Sequence, residues 1–311
     1  MRLGIDPTID CAFKKLFGSE AAKPLLLDLL RAVLGDWMGI PILELRLLNP
    51  FNDKETPSDK LSILDIKAED QVGRVYNVEM QREVLAVYAH RALYYWSRDH
   101  GQALQEGEGY ETLRASAGVH ILGRPLFPQV PDYHLSFSLR CDQHHELRLT
   151  SSLTIHTIEL SKFAKGAEEL EEPLEKWCYF LRHAEDLEPE ALPEPLQTPV
   201  MEQAVEVLRA MMRNSLEREL YEAQLKARRD HDAFILEAET RVQKSFEKGI
   251  EKGLAQGERN TLETILDLKF GEAGLKLMEP IRAIENLAKL QELRQALKAA
   301  RTLDEFRARL G

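Results

Sequence analysis

Helical spacing of apolar residues characterises the beginning of the chain. Four of them lie on one face of a predicted helix: Ile9, Phe13, Leu16 and Phe17. Gly18 ends that pattern. A Leu-rich segment follows, with Pro24 at the position that suits the first turn of a helix. The pattern therefore predicts two helices, the second of which ends near Gly35.

After Pro41 the spacing changes to the alternation that is typical of strands. Three segments show it: 42–48, 61–68 and 74–81. The short polar segment 69–73 suits the turn of an antiparallel hairpin between the last two strands. Helical spacing returns over residues 84–104. The pattern therefore predicts a hairpin followed by a long helix.

Three further strand-like segments follow: 117–122, 133–139 and 153–160. This order of helices and strands predicts an α/β core with a mixed central sheet that is flanked by helices. We expect the core to span residues 1–165. The sequence predicts a helical segment and a Pro-rich linker over residues 166–199. It predicts an all-α, partly coiled-coil-like C-terminal region over residues 200–311.

Three glycines fall every fourth residue in the long charged segment of that region: Gly249, Gly253 and Gly257. One interpretation is a flexible joint, because each Gly destabilises a helix by about 1 kcal/mol relative to Ala. The other is a stripe without side chains that allows close contact between the helices of two protomers. The sequence favours neither, but we expect a homo-oligomer formed through the C-terminal helices.

Composition indicates an ordinary globular protein, since 44% of the 311 residues are hydrophobic and 30% are charged. The net charge of −11 argues against non-specific coating of nucleic acid, although it neither supports nor excludes DNA as a substrate. We find no N-terminal signal pattern and no apolar run near the roughly 20 residues that span a membrane. We therefore expect a cytoplasmic protein without a membrane partner.

The cysteines point to free thiols in a reducing compartment, because the chain has an odd number of them, 3, and no CxxC pair. Cys141 lies close to His144 and His145 in the sequence. Adjacent histidines on a strand point to opposite faces, and a second pair of ligands is missing. A structural zinc site there is disfavoured.

The predicted hairpin carries the candidate chemistry. Alternation places Asp65 and Lys67 on one face of its first strand, and Asn77, Glu79 and Gln81 on one face of its second. A solvent-exposed polar face would explain the same pattern. However, helices on both sides should cover this hairpin, and carboxylate and amide oxygens are the ligands that Mg²⁺ prefers. The pattern alone favours the exposed polar face, and these two features keep a metal site open.

Five sequence segments together resemble the Rpn family of recombination-promoting nucleases and putative transposases, which belongs to the PD-(D/E)XK superfamily. They are DPTIDCAFKKLFG at 6–18, LNP at 48–50, LDIKA at 64–68, NVEMQ at 77–81 and RALYYW at 91–96. The resemblance covers residues 6–165. It implies a restriction-endonuclease-like fold, although Leu64 stands where the superfamily name has Pro.

Carried over residue by residue, the resemblance implies that Asp65 and Glu79 are metal ligands. Gln81 would replace the superfamily Lys, and a neutral amide can orient water or phosphate only through hydrogen bonds. Lys67 is a hypothetical source of the missing positive charge. The superfamily often has an acid on its first helix, so Asp10 is a further candidate, although the helix dipole explains an acid there equally well.

The function that the resemblance implies is a DNA endonuclease that hydrolyses phosphodiester bonds with Mg²⁺, or Mn²⁺ as the alternative. Recombination, mobile-element and phage-defence contexts all fit. One alternative is a catalytically weak protein that binds DNA or a partner, and another is a scaffold that assembles through its C-terminal helices. Strand joining is disfavoured because no separate DNA-binding motif is visible. We expect Tyr94, Tyr95 and Trp96 to be core residues, whereas Arg91 suits either a phosphate or an acid.

Overall fold

A mixed sheet lies at the centre of the first part of the chain. The computed structural model describes residues 2–35, 37–48, 66–84, 87–101, 104 and 107–310, and the backbone of 51–52 and 62–63. The strands of the mixed sheet are β1 Leu45–Leu48, β4 Ile66–Asp70, β5 Val75–Gln81, β6 Ser116–Leu122, β7 His134–Phe137 and β8 Leu153–Glu159. Two further strands, β2 Phe51–Asn52 and β3 Ser62–Ile63, form a separate two-stranded ladder.

The sheet has the order β1-β4-β5-β6-β8-β7. Strands β1, β4 and β5 are antiparallel neighbours, whereas β5, β6 and β8 run parallel, and β7 is antiparallel to β8. In the β4–β5 hairpin, Ile66 pairs with Val78 and Lys67 with Asn77. The predicted mixed sheet and the predicted antiparallel hairpin are both confirmed.

Helices flank this sheet and form the C-terminal region. Their bounds are α1 Asp10–Phe17, α2 Lys23–Leu34, α3 Tyr88–Gly101, α4 Pro173–His183, α5 Pro199–Arg213, α6 Ser215–Leu275, α7 Met278–Arg282, α8 Leu287–Ala299 and α9 Leu303–Arg307. The two predicted N-terminal helices are confirmed, as is the helix that was predicted within 84–104. Within α6, Gly271 leaves helical geometry with φ at 55°.

Strand β1 begins three residues later than the predicted strand 42–48. The carbonyl of Ile42 accepts a hydrogen bond from the Arg31 side chain, with a nitrogen–oxygen distance of 2.7 Å. The backbone N–H groups of Leu43 and Glu44 donate to the side chain of Gln71. Because side chains already satisfy these backbone groups, the ladder begins only after them.

The two faces of the sheet have different coverings. The apolar face, which includes Tyr76 and Val78 of β5, packs in one core with residues of α1, α2, α4 and α5. On the opposite face lies α3, where Ala92 packs in a small cluster with Leu122 of β6. The Trp96 indole N–H of α3 donates to the carbonyl oxygen of Ser116 at 3.1 Å. The sheet is therefore enclosed between helical layers.

The core extends well beyond the boundary that we expected at residue 165. Trp177 of α4 and Leu208 of α5 are buried in the same cluster as the strands. Leu192 and Leu196 of the expected Pro-rich linker are also buried there. The chain forms a first compact unit, Met1–Lys226. The physical reason is that the apolar face of the sheet needs more cover than α1 and α2 provide.

The second compact unit, Ala227–Gly311, has its own apolar core. Its described residues are helical apart from the short connections, as the sequence predicted. The Lys269 ammonium contacts three carbonyl oxygens at the end of α8, each at 2.9 Å, and thus satisfies groups that a helix terminus leaves without partners. In the part of the chain that the structure describes, no helix is long and apolar enough to cross a membrane.

One side of α6 carries exposed apolar side chains at intervals of four residues: Val242, Phe246, Ile250 and Leu254. A Cβ atom built at Gly249, Gly253 or Gly257 would meet nothing within 4 Å. Within the described residues, therefore, nothing packs closely on the glycine stripe. Self-association through these helices stays a prediction.

A buried ion pair closes the β4–β5 turn. The Arg74 guanidinium lies 2.6 Å from a carboxylate oxygen of Asp70, and the Tyr76 hydroxyl donates to the same oxygen at 2.8 Å. The guanidinium also donates to the carbonyl oxygens of Trp37 and Ile40. Burial, with the hydrogen bond to Asp70, raises the pKa of Tyr76, so its hydroxyl stays a donor. This network ties the hairpin to the loop that precedes β1.

Candidate active site

The polar face of β5 and β6 lies beneath α3. Glu79 pairs with His120 in the parallel register, and Asn77 pairs with Gly118. Their neighbours along the strands, such as Val78 and Val119, point into the apolar core. The Glu79 side chain is only 4% exposed. The hairpin therefore presents a buried polar face at Glu79, and the alternative of a solvent-exposed face is wrong for this residue.

One carboxylate oxygen of Glu79, Oε2, has several partners. The Tyr88 hydroxyl at the beginning of α3 donates to it at 3.1 Å. His120 Nδ1 lies 3.7 Å away, and an Arg91 guanidinium nitrogen lies 3.9 Å away. The Tyr88 hydroxyl also lies 2.9 Å from His120 Nδ1. Glu79 Oε2 is thus held by side chains from α3 and β6.

The pKa of Glu79 lies below its usual value. Burial by itself would raise it, because burial disfavours the charged form. The interactions with His120, Arg91 and the Tyr88 hydroxyl outweigh that effect. Glu79 is therefore ionised at neutral pH, as a ligand of a cation needs to be.

The other oxygen, Glu79 Oε1, is buried and has no hydrogen-bond partner among the described residues. Four more buried polar atoms on this face share that property: Asn77 Oδ1, Ser116 Oγ, His120 Nε2 and Thr157 Oγ1. Buried polar atoms are nearly always paired with protein, water or an ion. The concentration of such atoms beneath α3 therefore indicates a site for a polar ligand.

Lys67 lies on the same face and contacts a buried acid. Its ammonium lies 2.8 Å from Asp99 Oδ1, and the Asn77 amide donates to the second oxygen of Asp99. The Asp99 side chain is fully buried. The positive charge of Lys67 is therefore close to the site but is opposed by a neighbouring negative charge.

Gln81 lies at the end of β5, closer to the surface than Glu79. Its amide donates to the carbonyl oxygen of Glu83 at 2.9 Å. Its side-chain oxygen accepts from Arg91 at 3.5 Å. The Arg91 guanidinium lies over the rings of Tyr88 and Tyr95, at 5.8 and 5.4 Å from their centroids. Arg91 therefore contacts both Glu79 and Gln81.

Asp10 is placed differently. Helix α1 packs in the core on the opposite face of the sheet from Glu79. The Asp10 carboxylate forms an ion pair with Lys14 at 2.8 Å, and its side chain is half exposed. It lines a cavity together with residues from α5 and the beginning of α6, such as Gln224. Asp10 is thus not among the side chains that contact Glu79 in the described part of the chain, and its role in the site stays a prediction.

Asp65 lies outside the described residues, as does the Asn49-Pro50 pair of the sequence motif. Asp65 precedes Ile66, Glu79 follows Val78, and Ile66 and Val78 are register partners. Within the described residues, no three or more His, Cys, Asp or Glu side chains are grouped for binding a metal.

A protein-family model described as PD-(D/E)XK nuclease family transposase matches residues 7–238, which is most of the chain. The chain belongs to this family. The match extends through α4 and α5, in agreement with the extent of the first compact unit. Searches of curated proteins and of solved structures gave no match.

Membership of the PD-(D/E)XK nuclease transposases assigns the restriction-endonuclease-like fold and a nuclease-like function, and nucleases of this kind generally use divalent metal ions. The residues present fit such an ion. Glu79 supplies a buried, ionised carboxylate whose Oε1 atom lacks a partner in the described structure. Oxygen donors of this type are what Mg²⁺ and Mn²⁺ take.

Sequence reasoning missed three buried side chains of this PD-(D/E)XK protein: Tyr88 and His120 contact Glu79, and Asp99 contacts Lys67. Tyr88, Trp96 and Asp99 lie on the buried side of α3, so an acid on an otherwise apolar helical stripe was a usable signal. His120 stands out as a titratable residue in a fully buried strand. The prediction of a core position is wrong for Tyr94, which is 46% exposed, and is confirmed for Trp96.

Proposed function

We propose that this protein is a Mg²⁺-dependent DNA endonuclease that hydrolyses phosphodiester bonds. One observation carries the proposal. Glu79, in the family segment NVEMQ, is a buried, ionised carboxylate with one oxygen held in place and the other without a partner among the described residues. A structural acid in a protein interior normally has both oxygens satisfied, whereas a ligand carboxylate keeps one for its ion.

Asp65 and Glu79 would hold the ion. Asp65 is assigned to the ion by the family resemblance alone, since it lies outside the described residues. A bound Mg²⁺, or Mn²⁺ as the alternative, supplies a Lewis acid for the phosphate and lowers the pKa of a water molecule.

The remaining side chains would orient the DNA and supply positive charge. Gln81 orients water or a phosphate oxygen through its amide, since it cannot exchange a proton. Arg91 contacts both Glu79 and Gln81, whereas the Lys67 ammonium forms an ion pair with Asp99. A guanidinium also matches the geometry of a phosphate better than an ammonium does. We therefore assign the missing charge to Arg91 and a supporting part to Lys67.

The proposal is tested by nicking of supercoiled plasmid in the presence of Mg²⁺. The parent protein is expected to nick the plasmid, and chelation of the metal by EDTA should stop it. Asp65→Ala should lower the rate at least about 100-fold, because half of the anchoring charge is lost. No cleavage by the pure, folded parent protein, or full cleavage by Asp65→Ala, would contradict the proposal. The first outcome would instead support a protein that binds DNA or a partner without cutting it.

The same assay distinguishes the contributions of Arg91 and Lys67 to cleavage. Arg91→Gln is expected to lower kcat/KM by about 10²- to 10³-fold, the loss expected for one preorganised phosphate contact. Lys67→Ala should lower it less, by about 10-fold, because the Lys67 charge is opposed by Asp99. Arg91→Lys should recover part of the activity. The assignment is reversed if Lys67→Ala is inactive while Arg91→Gln cleaves at the parent rate.

A further inference from the structure

The buried imidazole of His120 has no part in the function proposed above, although it lies next to Glu79. Its ring meets the Tyr88 ring edge-on, with centroids 5.7 Å apart and planes at 87°. Tyr88 is itself almost completely buried, in a small apolar cluster with Ala92 and Leu122. Gly118 makes room for the imidazole, because a Cβ atom at position 118 would lie 2.9 Å from His120 Nε2. The ring position is therefore fixed from several sides.

The hydrogen bonds among Glu79, Tyr88 and His120 have one consistent direction. A carboxylate only accepts hydrogen bonds, so the Tyr88 hydroxyl donates its proton to Glu79 Oε2. The hydroxyl has no second proton, and at 2.9 Å it must therefore accept one from His120 Nδ1. The chain thus runs from His120 through Tyr88 to Glu79. It determines which imidazole nitrogen carries the hydrogen.

We propose that Tyr88 and His120 are positioning residues, which hold Glu79 Oε2 and thereby direct Glu79 Oε1 towards the divalent ion. The inference rests on the proposed function. It explains why the two oxygens of one buried carboxylate differ, since Oε2 has its partners and Oε1 has none in the described structure. Without the Tyr88 hydroxyl, the carboxylate can rotate about its last bond and offer either oxygen.

The test measures Mn²⁺ binding to the full chain without DNA, by electron paramagnetic resonance of the free ion. Tyr88→Phe removes only the hydroxyl and should weaken Mn²⁺ binding by about 10- to 100-fold, the usual effect of losing a group that orients a metal ligand. His120→Leu should weaken it similarly. His120→Asn should recover part of the affinity, because its amide can donate near the position of Nδ1. Tyr94→Phe, on the exposed side of the same helix, is the matched control and should bind as the parent does.

The outcomes separate this inference from the proposed function. If the parent binds no Mn²⁺, the proposed function fails, and the inference fails with it. If the parent binds Mn²⁺ and both Tyr88→Phe and His120→Leu bind it equally well, only the inference is overturned. If His120→Asn and His120→Leu lose Mn²⁺ affinity to the same extent, the role assigned to the His120 hydrogen bond is overturned. Recovery of Tyr88→Phe cleavage at high Mn²⁺ concentration would support a defect in metal binding.

Discussion

Glu79→Gln is expected to lower Mg²⁺-dependent cleavage by at least about 10³-fold, which corresponds to about 4 kcal/mol of transition-state stabilisation. The amide has the size of the carboxylate and keeps an oxygen that can accept from the Tyr88 hydroxyl. It carries no charge, however, and therefore loses the attraction for the cation. The rate of plasmid nicking and the affinity for Mn²⁺ should fall together.

The fold should tolerate this change, because Gln has nearly the size of Glu and can still accept the hydrogen bond from Tyr88. We expect the thermal midpoint of Glu79→Gln to lie slightly below that of the parent, because the partners that lower the pKa of Glu79 stabilise the fold when Glu79 is ionised. Glu69→Gln is a matched control, since Glu69 is a buried acid of the neighbouring strand β4 that pairs with Arg46 and Arg114. Its activity should stay within about threefold of the parent. A Glu79→Gln protein that cleaves as fast as the Glu69→Gln control would remove Glu79 from the site.

Asp70→Ala is expected to cause the largest loss of stability. The Asp70 carboxylate is the acidic partner of Arg74 and the acceptor for the Tyr76 hydroxyl, and both ion-pair partners are buried. Among the described residues, its removal leaves the guanidinium with carbonyl oxygens as hydrogen-bond partners, such as those of Trp37 and Ile40. Breaking a buried pair from one side costs about 3–5 kcal/mol. The unfolding temperature of the first compact unit, measured by calorimetry, should therefore fall by about 10 °C.

Two comparisons make this expectation specific. Asp70→Asn keeps the oxygen that accepts from the turn N–H groups but replaces the oxygen that accepts from Tyr76 by an amide nitrogen, and it should be less destabilising than Asp70→Ala. Asp142→Ala changes an exposed acid and should shift stability by no more than about 0.5 kcal/mol. If Asp70→Ala unfolds at the same temperature as Asp142→Ala, the buried network contributes nothing to stability. Cleavage below the melting temperature should be retained, since Asp70 lies at the far end of the hairpin from Glu79.

The local elements were predictable because their causes are local. Alternation over residues 74–81 reflects the two faces of one strand, so it was enough to place Glu79 and Gln81 on the same side. The helical spacing before Gly18 likewise depends on neighbours one turn away. The beginning of β1 was not predictable in this way. Its position depends on side chains of Arg31 and Gln71, which occupy the backbone groups of residues 42–44.

The candidate site was predictable only in part. The strand pattern and the family resemblance singled out Glu79, but whether its side chain is buried or exposed depended on the packing of α3. Asp99 lies 32 residues beyond Lys67, and His120 lies on a strand that follows α3 in the chain. No spacing rule connects residues so far apart. Only the parallel pairing of β5 with β6 brings His120 beside Glu79.

The sequence by itself thus determined the hairpin, the side on which its polar residues lie, the helical character of the C-terminal region and the family. The tertiary structure decided that α4 and α5 complete the first core, and that α3 buries Glu79 with Tyr88 and His120 against one of its oxygens. The physical reason is range. Periodicity records which side of an element is apolar, whereas the partner that covers each side is chosen by packing among distant segments.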